Sequence, residues 1–600
     1  MNNNRIMGNL KYFGLILVAG MFAACSDNLE SSGNVNDGPK TGEGYVKVAI
    51  NLPTVSGSRA NESFDDGDEN EWSVKSGIIA FFEGAKGNEN EAKFVKAYDL
   101  ANIVNNAYSD DDPNHVTNKI EAQIIEAPQL SNDNNQMYAL VILNRGNEVS
   151  VHSQGKQLIF NNDDVETNGH ITIDEKNTFN DLINQQWIID AATIADPTTN
   201  GFLMINSPLY KEVESNYTTQ TLVPVTVYES KDAAEGNTAD RIFVERVVAK
   251  VDVKLGENVI DGVYTIKEGA YKGSEVIFND KTDEKLGWVL NVTNKNTKPV
   301  RDVSDYSIWS KYTIKEHIFG SSKIDGSDWS RIYWAKDNNY GKNYLNTEGN
   351  EPDMDKVNAD FNVYSMDDET AAEGSEIKWG AYSTTGASAK VNAQYCLENT
   401  DLAVSADGQN YNEYNVTSIL VKAKFDIKKS DGQEGDYSFF TIGDIAKTYS
   451  IDEFYNYVAE KCSVTVNLSE SKNELAKANA GYYEGVDELK SLIVLEDGQK
   501  YENLVHLDKV AYYKDGDCYY YAAPIQHFAL TKEEPISNEN YLGKYGVVRN
   551  NWYNITITKA TAPGIPEITD PEEPVEKEEG YIKCEINVLS WAKRTQDVEL

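Results

Sequence analysis

The chain has 600 residues and a formal net charge of -41, with 55 Lys and Arg against 96 Asp and Glu. This charge argues against nucleic acid or an anionic membrane surface as a partner, because either would attract clustered basic residues. The apolar fraction of 40% and the 36 tyrosines are typical of a folded protein, and the length allows two or more domains.

The N-terminal residues have the features of an export signal. Arg5 and Lys11 precede a short apolar stretch at 12–21, which is too short to span a bilayer. Small residues then lead into Cys25 in the order Phe-Ala-Ala-Cys, which resembles a bacterial lipoprotein signal. The pattern therefore predicts a signal peptide at 1–24 and a lipidated Cys25, with acyl chains as the membrane attachment. An ordinary secretory signal is the alternative.

A strand with one apolar face follows a flexible tether that is rich in Gly, Ser and Asn. Apolar and polar residues alternate in this strand, and its apolar positions are Val46, Val48, Ile50 and Leu52. The next segment contains a lone arginine flanked by Gly and Ser, which is typical of an exposed loop open to proteases. A trypsin-like cut between Arg59 and Ala60 would separate the anchor and the strand from the rest of the chain.

Strand patterns dominate the body of the sequence. Apolar or alternating runs predict strands at 77–82, 137–143, 201–205, 222–228, 247–255, 417–425 and 545–558. Helical spacing predicts helices at 179–189, 452–461 and 473–478. The segment Val510–Tyr521 is predicted to be a hairpin that turns at Asp515 and Gly516. A polar stretch at 232–240 indicates a domain boundary, and the weakly periodic region 304–411 indicates an elaborated insertion.

The end of the chain carries a second strand similar to the first. Residues 562–579 combine prolines with acidic residues and are predicted to form an extended linker. The apolar positions of the following strand are Ile582, Cys584, Ile586 and Val588, and Trp591 lies shortly beyond it. Gly44–Leu52 reads GYVKVAINL and Gly580–Val588 reads GYIKCEINV, so Gly, Tyr, Lys, Ile and Asn coincide. Our hypothesis is that both segments fit one groove, the first before assembly and the second, from a neighbouring molecule, afterwards.

Taken in this order, the motifs resemble those of type V pilins of Bacteroidales, in particular the shaft subunit of the short (minor) fimbriae. The resemblance is carried by the approach to Cys25, the Arg59–Ala60 junction, and residues 246–252, 546–553 and 586–591. It implies a mostly β protein with two transthyretin-like β-sandwich domains, helical and loop insertions, and a C-terminal donor strand. It also implies an outer-membrane lipoprotein precursor, cleavage by an Arg-specific surface protease, and polymerisation by donor-strand exchange into a cell-surface fimbrium.

The implied partners are other copies of the chain, accessory anchor and tip pilins, and host or bacterial surface molecules reached in adhesion and biofilm formation. A shaft role is favoured because the chain combines a cleavage site with a C-terminal strand. The predicted divisions are a signal peptide (1–24), a propeptide with lipid anchor and self-complementing strand (25–59), an N-terminal sandwich (60–240), a C-terminal sandwich with an insertion (241–561), a linker (562–579) and a donor strand (580–600).

Other function classes find less support in the sequence. It contains no His-Glu-x-x-His, Gly-x-Ser-x-Gly or phosphate-binding glycine loop, so we predict neither enzymatic activity nor a cofactor. The cysteines lack metal or redox spacing, and the acidic run 65–71 lacks the spacing of a calcium loop, so no metal site is predicted. A disulfide among Cys396, Cys462 and Cys518 remains open. The alternative function is that of a lipid-anchored, glycan-binding β-sandwich protein.

Overall fold

The computed structural model describes residues 43–53, 68–107, 116–161, 169–213, 216–280, 285–304, 321–324, 327–332, 334–349, 351–371, 376–384, 390–401, 412–427, 437–443, 445–521, 524–527, 543, 545–570, 582–589 and 594–596. The predicted signal peptide, Cys25, the Arg59–Ala60 junction and Trp591 lie outside these residues. Within the described ranges, no helix is both long enough and apolar enough to cross a membrane.

Strands also dominate the structure of the first half of the chain. Their bounds are β1 Glu43–Pro53, β2 Gly77–Ala85, β3 Lys93–Asp99, β4 Asn105–Ala107, β5 Val116–Pro128, β6 Asn135–Leu143, β7 Val149–His152, β8 Gln157–Phe160, β9 Ile171–Ile173, β10 Trp187–Ile188, β11 Ala195–Asp196, β12 Gly201–Phe202, β13 Met204–Asn206, β14 Leu209–Val213, β15 Asn216–Gln220, β16 Val223–Val225 and β17 Asp240–Arg246. A nine-stranded sheet has the order β3-β2-β6-β13-β17-β1-β5-β4, and β16 pairs with β6. Val48, Phe81 and Leu140, from β1, β2 and β6, belong to one core and are almost fully buried.

The second half continues with strands. Their bounds are β18 Val248–Leu255, β19 Val263–Thr265, β20 Glu275–Ile277, β21 Gly287–Asn291, β22 Thr293–Asn294, β23 Asn296–Thr297, β24 Ser321–Ile324, β25 Ser327–Arg331, β26 Phe361–Asn362, β27 Ala393–Leu397, β28 Ser418–Asp426, β29 Phe439–Ile442, β30 Ile445–Ser450, β31 Gly481–Tyr483, β32 Val510–Tyr513, β33 Asp517–Tyr521, β34 Trp552–Ala560, β35 Ile582–Leu589 and β36 Arg594–Gln596.

Two of these sheets face each other across a second core. One has the order β27-β18-β34-β35-β36, and the other has the order β19-β20-β28-β21 with β33 paired to β28. Val251 and Ile555 from the first sheet and Val421 from the second are fully buried in this core. The side chains of β18 and β34 alternate between the core and the opposite face, as the strand period requires. The predicted mostly β architecture is therefore confirmed.

The helices are short and lie between strands. Their bounds are α1 Glu69–Trp72, α2 Phe179–Ile183, α3 Ala191–Ile194, α4 Lys231–Glu235, α5 Met354–Asp360, α6 Met366–Glu369, α7 Ile451–Cys462, α8 Leu468–Leu475 and α9 Gly485–Leu489, and the 3-10 helices are Ser153–Gly155, Glu413–Asn415, Tyr501–His506 and Lys514–Gly516. The helix predicted at 452–461 is confirmed as α7, which begins at a capping box between Ser450 and Glu453. The helix predicted at 179–189 ends at Ile183, because Trp187 and Ile188 pair as a strand with residues 296–297.

Two organisational predictions differ from the structure. β17 pairs with β1 and β13, so the change from the first sheet to the second falls between Arg246 and Val248 rather than at 240. The predicted hairpin at Val510–Tyr521 is wrong, although Asp515 and Gly516 do adopt positive φ. β32 pairs with β29 and β31, whereas β33 pairs with β28, so the turn directs the two strands into different sheets.

A third core belongs to a segment whose separate packing the sequence reasoning missed. Residues 439–512 lie between β28 and β33, which pair directly with each other. Side chains of this segment, including Phe440, Phe454 and Leu489, pack into a core of their own. The segment therefore forms an α/β insertion with its own core, separate from the irregular region predicted at 304–411.

Candidate strand-exchange groove

β1 occupies an interior position in the first sheet. On one side it runs antiparallel to β5 from Glu43 opposite Pro128 to Pro53 opposite Val116. On the other side it runs parallel to β17, with Ile50 opposite Ile242. Because both edges of β1 are hydrogen-bonded, its removal would leave a slot bounded by β5 and β17.

The inner face of β1 belongs to the core. Val46, Val48 and Ile50 are 0%, 1% and 2% exposed, respectively. Leu52 lies in β1 opposite Asn118. Three of the apolar positions singled out from the sequence thus fill one hydrophobic face, and their loss would open a cavity along the core.

The outer face of β1 is held by polar contacts that sequence reasoning missed. Lys47 Nζ donates to the carbonyl oxygens of Glu235 and Asn237 at 3.0 and 2.8 Å, at the C-terminal end of α4. A cation at this end of a helix complements the carbonyl groups that have no partner within the helix. Tyr45 and Tyr228 exchange both backbone hydrogen bonds at 2.8 and 2.7 Å.

Gly44 lies where the chain has no room for a side chain. A Cβ built there would be 2.5 Å from Val227 Cγ1 and 2.7 Å from Gln129 Nε2. The sequence offered a signal for Gly44 and Lys47, because both are among the residues repeated as Gly580 and Lys583. Both residues were noted as repeated, but only the apolar positions were assigned a role.

The C-terminal strand β35 pairs within its own molecule. It runs antiparallel to β34, with Ile586 opposite Ile555 and Leu589 opposite Trp552. Its other edge pairs with β36, which belongs to the same C-terminal tail. The C-terminal strand therefore lies against the edge of β34 of its own molecule.

The predicted linker is likewise not a free spacer in its described part. Ile565 and Tyr519 exchange backbone hydrogen bonds at 2.9 and 2.8 Å, and Tyr513 Oη donates to the Gly564 carbonyl at 2.8 Å. Residues 562–570 therefore lie against β33, while 571–579 fall outside the described residues. The prolines remove backbone donors but leave their carbonyl groups and apolar rings free to pack.

Comparison with known proteins gives a family match at the C-terminal end of the chain. The family model described as major fimbrial subunit protein type IV, fimbrillin, C-terminal, matches residues 511–597. Residues 511–597 are thus similar to a fimbrillin C-terminal region. The resemblance to pilins seen in the sequence is thereby confirmed. The matched region contains β33, β34, β35 and β36, and so includes the C-terminal strand together with the strand that it pairs with.

The solved structures similar to this chain have low sequence identity to it. A fimbrilin (fimA) from Porphyromonas gingivalis is 12% identical, with 92% of this chain and 98% of that chain covered and a TM-score of 0.30. The tip fimbrial protein Mfa3 from the same organism, with C-terminal truncation, is 11% identical, with 92% and 100% covered and a TM-score of 0.28. A fimbrial assembly protein from Parabacteroides distasonis is 10% identical, with 64% and 97% covered and a TM-score of 0.23. Similarity at this level establishes no function. The chain has no match among curated proteins.

A buried ion pair connects the segment after the predicted cleavage site to the sheet that contains β18 and β34. Glu71, in α1, is 2% exposed and accepts from Lys250 Nζ at 2.7 Å. Its backbone carbonyl accepts from Arg246 Nε at 2.7 Å. Burial alone would raise the pKa of Glu71, but the charges of Lys250 and Arg246 outweigh it and hold the pKa below its ordinary value. Lys250 Nζ also lies 3.9 Å from the ring centroid of Trp552, in β34.

A second buried network surrounds Arg549, which lies in the region matched by the fimbrillin model. Arg549 Nε contacts Glu398 at 3.2 Å, and Glu398 is also 3.3 Å from Arg301 Nη2. Arg301 Nη1 in turn lies 3.3 Å from Glu245, in β17. All four side chains are at most 1% exposed. Such a chain of paired charges is costly to break at any one member, so it favours one arrangement of these strands.

The cysteines left open by the sequence are free. Cys396, Cys462 and Cys518 are buried and form no disulfide. Burial raises the pKa of both Cys396 and Cys518 to about 12, so these thiols stay protonated and unreactive near neutral pH. Among the described residues, no group of three His, Cys, Asp or Glu is arranged to hold a metal ion.

Proposed function

We propose that this protein is the shaft subunit of a surface fimbria. In this proposal it is exported as a precursor lipidated on Cys25 and cut between Arg59 and Ala60 by an Arg-specific protease. It then polymerises by donor-strand exchange with other copies of itself, accompanied by anchor and tip pilins. Its role is structural, and adhesion to host or bacterial surfaces is a property of the assembled fimbria.

The observation that carries the proposal is the position of β1. This strand lies upstream of the predicted cut, yet it fills the interior of the first sheet with Val46, Val48 and Ile50 buried. A cut after Arg59 would leave β1 attached by non-covalent contacts alone. The fimbrillin match at 511–597 and the repeat of the β1 pattern at 580–588 support the C-terminal tail as the replacement.

The estimated energies are consistent with a β1 strand that stays bound in the precursor and becomes replaceable after cleavage. Burial of three aliphatic side chains stabilises β1 in its slot by roughly 4.5 to 9 kcal/mol. While β1 is covalently attached, its effective concentration exceeds that of any neighbouring strand. Cleavage removes this advantage, and a strand with the same apolar pattern then competes by β-augmentation.

The direct test is the substitution Ile586→Asp in the C-terminal strand. An unpaired carboxylate in the groove is expected to cost several kcal/mol, so the cut protein should remain a monomer. Ile260→Asp is the matched control, because Ile260 is 71% exposed and the same change there should leave assembly intact. Both precursors are folded and treated with an Arg-specific protease, and polymer is measured on native gels. Equal polymer from the two variants would contradict the proposal.

A further inference from the structure

The groove occupied by β1 contains features that select one register for the strand that replaces it. We infer that the incoming tail lies in the direction of β1 with Gly580 at the place of Gly44, Lys583 at Lys47 and Glu585 at Ala49. In this register Glu585 forms an ion pair with Arg241 of the receiving molecule. The inference rests on the proposed function and specifies which residues of a second copy recognise each other.

The first observation is the lack of space at Gly44. A Cβ at this position would approach Val227 Cγ1 to 2.5 Å and the Tyr228 carbonyl oxygen to 3.0 Å. Gly580 is the only glycine between Gly564 and the C-terminus. Any other register therefore brings a side chain to this place; a shift of two residues brings either Ile582 or Glu578.

Shifts of one residue are excluded by a different effect. Side chains alternate between the two faces of a strand, so a one-residue slip exchanges the faces. Lys583 and Glu585 would then enter the core, where Val46 and Val48 are 0% and 1% exposed. Only the register that matches Gly580 to Gly44 keeps charged side chains out of the core and also leaves the position of Gly44 without a side chain.

The outer face supplies the polar partners for this register. Lys583 at the position of Lys47 reaches the carbonyl oxygens of Glu235 and Asn237, to which Lys47 donates at 3.0 and 2.8 Å. These acceptors are main-chain atoms at the end of α4 and remain after β1 leaves. A lysine in the donor strand thus replaces the contact that cleavage removes.

The ion pair is the one contact that β1 itself cannot make. Ala49 lies opposite Arg241 in the parallel ladder between β1 and β17, so their side chains share a face. Arg241 is exposed and forms no ion pair with the residues that the structure describes. Glu585 in place of Ala49 would lie beside this guanidinium group. The exchanged state therefore gains a charge pair that is absent from the precursor.

A charge-swap experiment tests the register. The variants are Glu585→Lys, Arg241→Glu and the double variant, each cut with an Arg-specific protease at low salt. Each single variant is expected to polymerise at least about two- to five-fold more slowly than the unmodified protein, because the pair joins the exposed Arg241 to a position that is 7% exposed in the precursor. The double variant should recover the original rate, and the defects of the singles should shrink at high salt because exposed charges are screened.

Two outcomes would overturn the register: single variants that polymerise at the original rate, or a double variant that is no faster than the slower single. A further variant, Gly580→Val, tests the lack of space at Gly44 independently. It should block polymerisation of a folded, cleaved subunit. Normal polymer from Gly580→Val would also overturn the register. If Ile586→Asp polymerises normally, the proposed exchange itself fails. If Ile586→Asp does not polymerise while the charge variants polymerise at the original rate, only the inferred register is contradicted.

Discussion

β1 and β35 carry the same apolar pattern, but they are held in very different ways. β1 pairs along one edge with β5 and along the other with β17, both of which lie in the body of the first sheet. Among the residues that the structure describes, β35 pairs with the body of the molecule along one edge, through β34. Its other neighbour, β36, comes from the same tail and would move with it. In the described residues, the backbone of the tail is paired to the body of the molecule by the β34 ladder, whereas β1 is paired through two ladders and also fills part of a core.

This difference indicates that β1, rather than the C-terminal tail, needs a covalent change before it can be released. In the proposed exchange, release of β1 would open two strand edges and expose a core face, so we expect a covalent cut to be required before a competing strand can replace it. Release of the tail breaks one ladder and leaves Tyr553, Ile555 and Ile557 of β34 facing their own core. In the groove both edges belong to β5 and β17, so β36 would have to separate from β35 on insertion.

Removal of the cleavage site should have the largest effect. Arg59→Ala is expected to abolish assembly completely, because β1 then keeps its covalent advantage over any neighbouring strand. Arg59→Lys is the matched control: it should resist an Arg-specific protease but regain polymer when treated with one that cuts after lysine. N-terminal sequencing of surface material checks the site. A mature chain that begins at Cys25 or elsewhere upstream of Tyr45 would contradict the comparison.

A charge in β1 should have the next largest effect. Val48→Asp puts an unpaired carboxylate at a position that is 1% exposed, and we expect the precursor to lose several kcal/mol of unfolding free energy. Val104→Asp is the control, because Val104 is 45% exposed and the change there should stay within about 0.5 kcal/mol. Urea denaturation of both precursors measures the difference. Equal stability would mean that β1 is not held by its core face.

The sequence predicted the strands whose side chains follow a local period. The alternation in β1 and the run at Tyr553, Ile555 and Ile557 indicated buried faces, and these faces lie in the cores. Local patterns do not reveal which strand lies beside which, since pairing depends on residues far apart in the chain. This is why the turn at Asp515 and Gly516 was recognised but the partners of β32 and β33 were not.

The polar contacts of the candidate site were the least predictable part. Residues 246–252 were singled out as a motif, yet nothing in their spacing indicates that Arg246 and Lys250 converge on Glu71. A buried charge can be interpreted only with its partners, and those partners lie more than a hundred residues away along the chain. The repeat included Lys47, but its acceptors are main-chain carbonyl groups of Glu235 and Asn237, which no side-chain pattern in the sequence reveals.

The smallest effect should come from the residue that fixes the segment just after the cut. Glu71→Gln removes the charge that pairs with Lys250 and should lower the unfolding free energy at pH 7 by about 1 to 3 kcal/mol. The folded-state pKa of Glu71 lies below the ordinary value of 4.5, so its contribution is present above pH 4.5 and is lost as the pH falls through the folded pKa. The gap between the unmodified protein and Glu71→Gln should therefore narrow in acid.

Glu69→Gln is the matched control, because Glu69 lies exposed in the same helix and its loss should change the unfolding free energy by no more than about 0.5 kcal/mol. Urea denaturation of the three proteins at neutral and acidic pH measures both the size of the effect and its pH dependence. A gap that stays constant between the two pH values would mean that the ionised carboxylate is not what holds this segment. The segment around Glu71 would then be held after the proposed cleavage by hydrophobic packing alone. The ion pair with Lys250 would no longer distinguish it from β1.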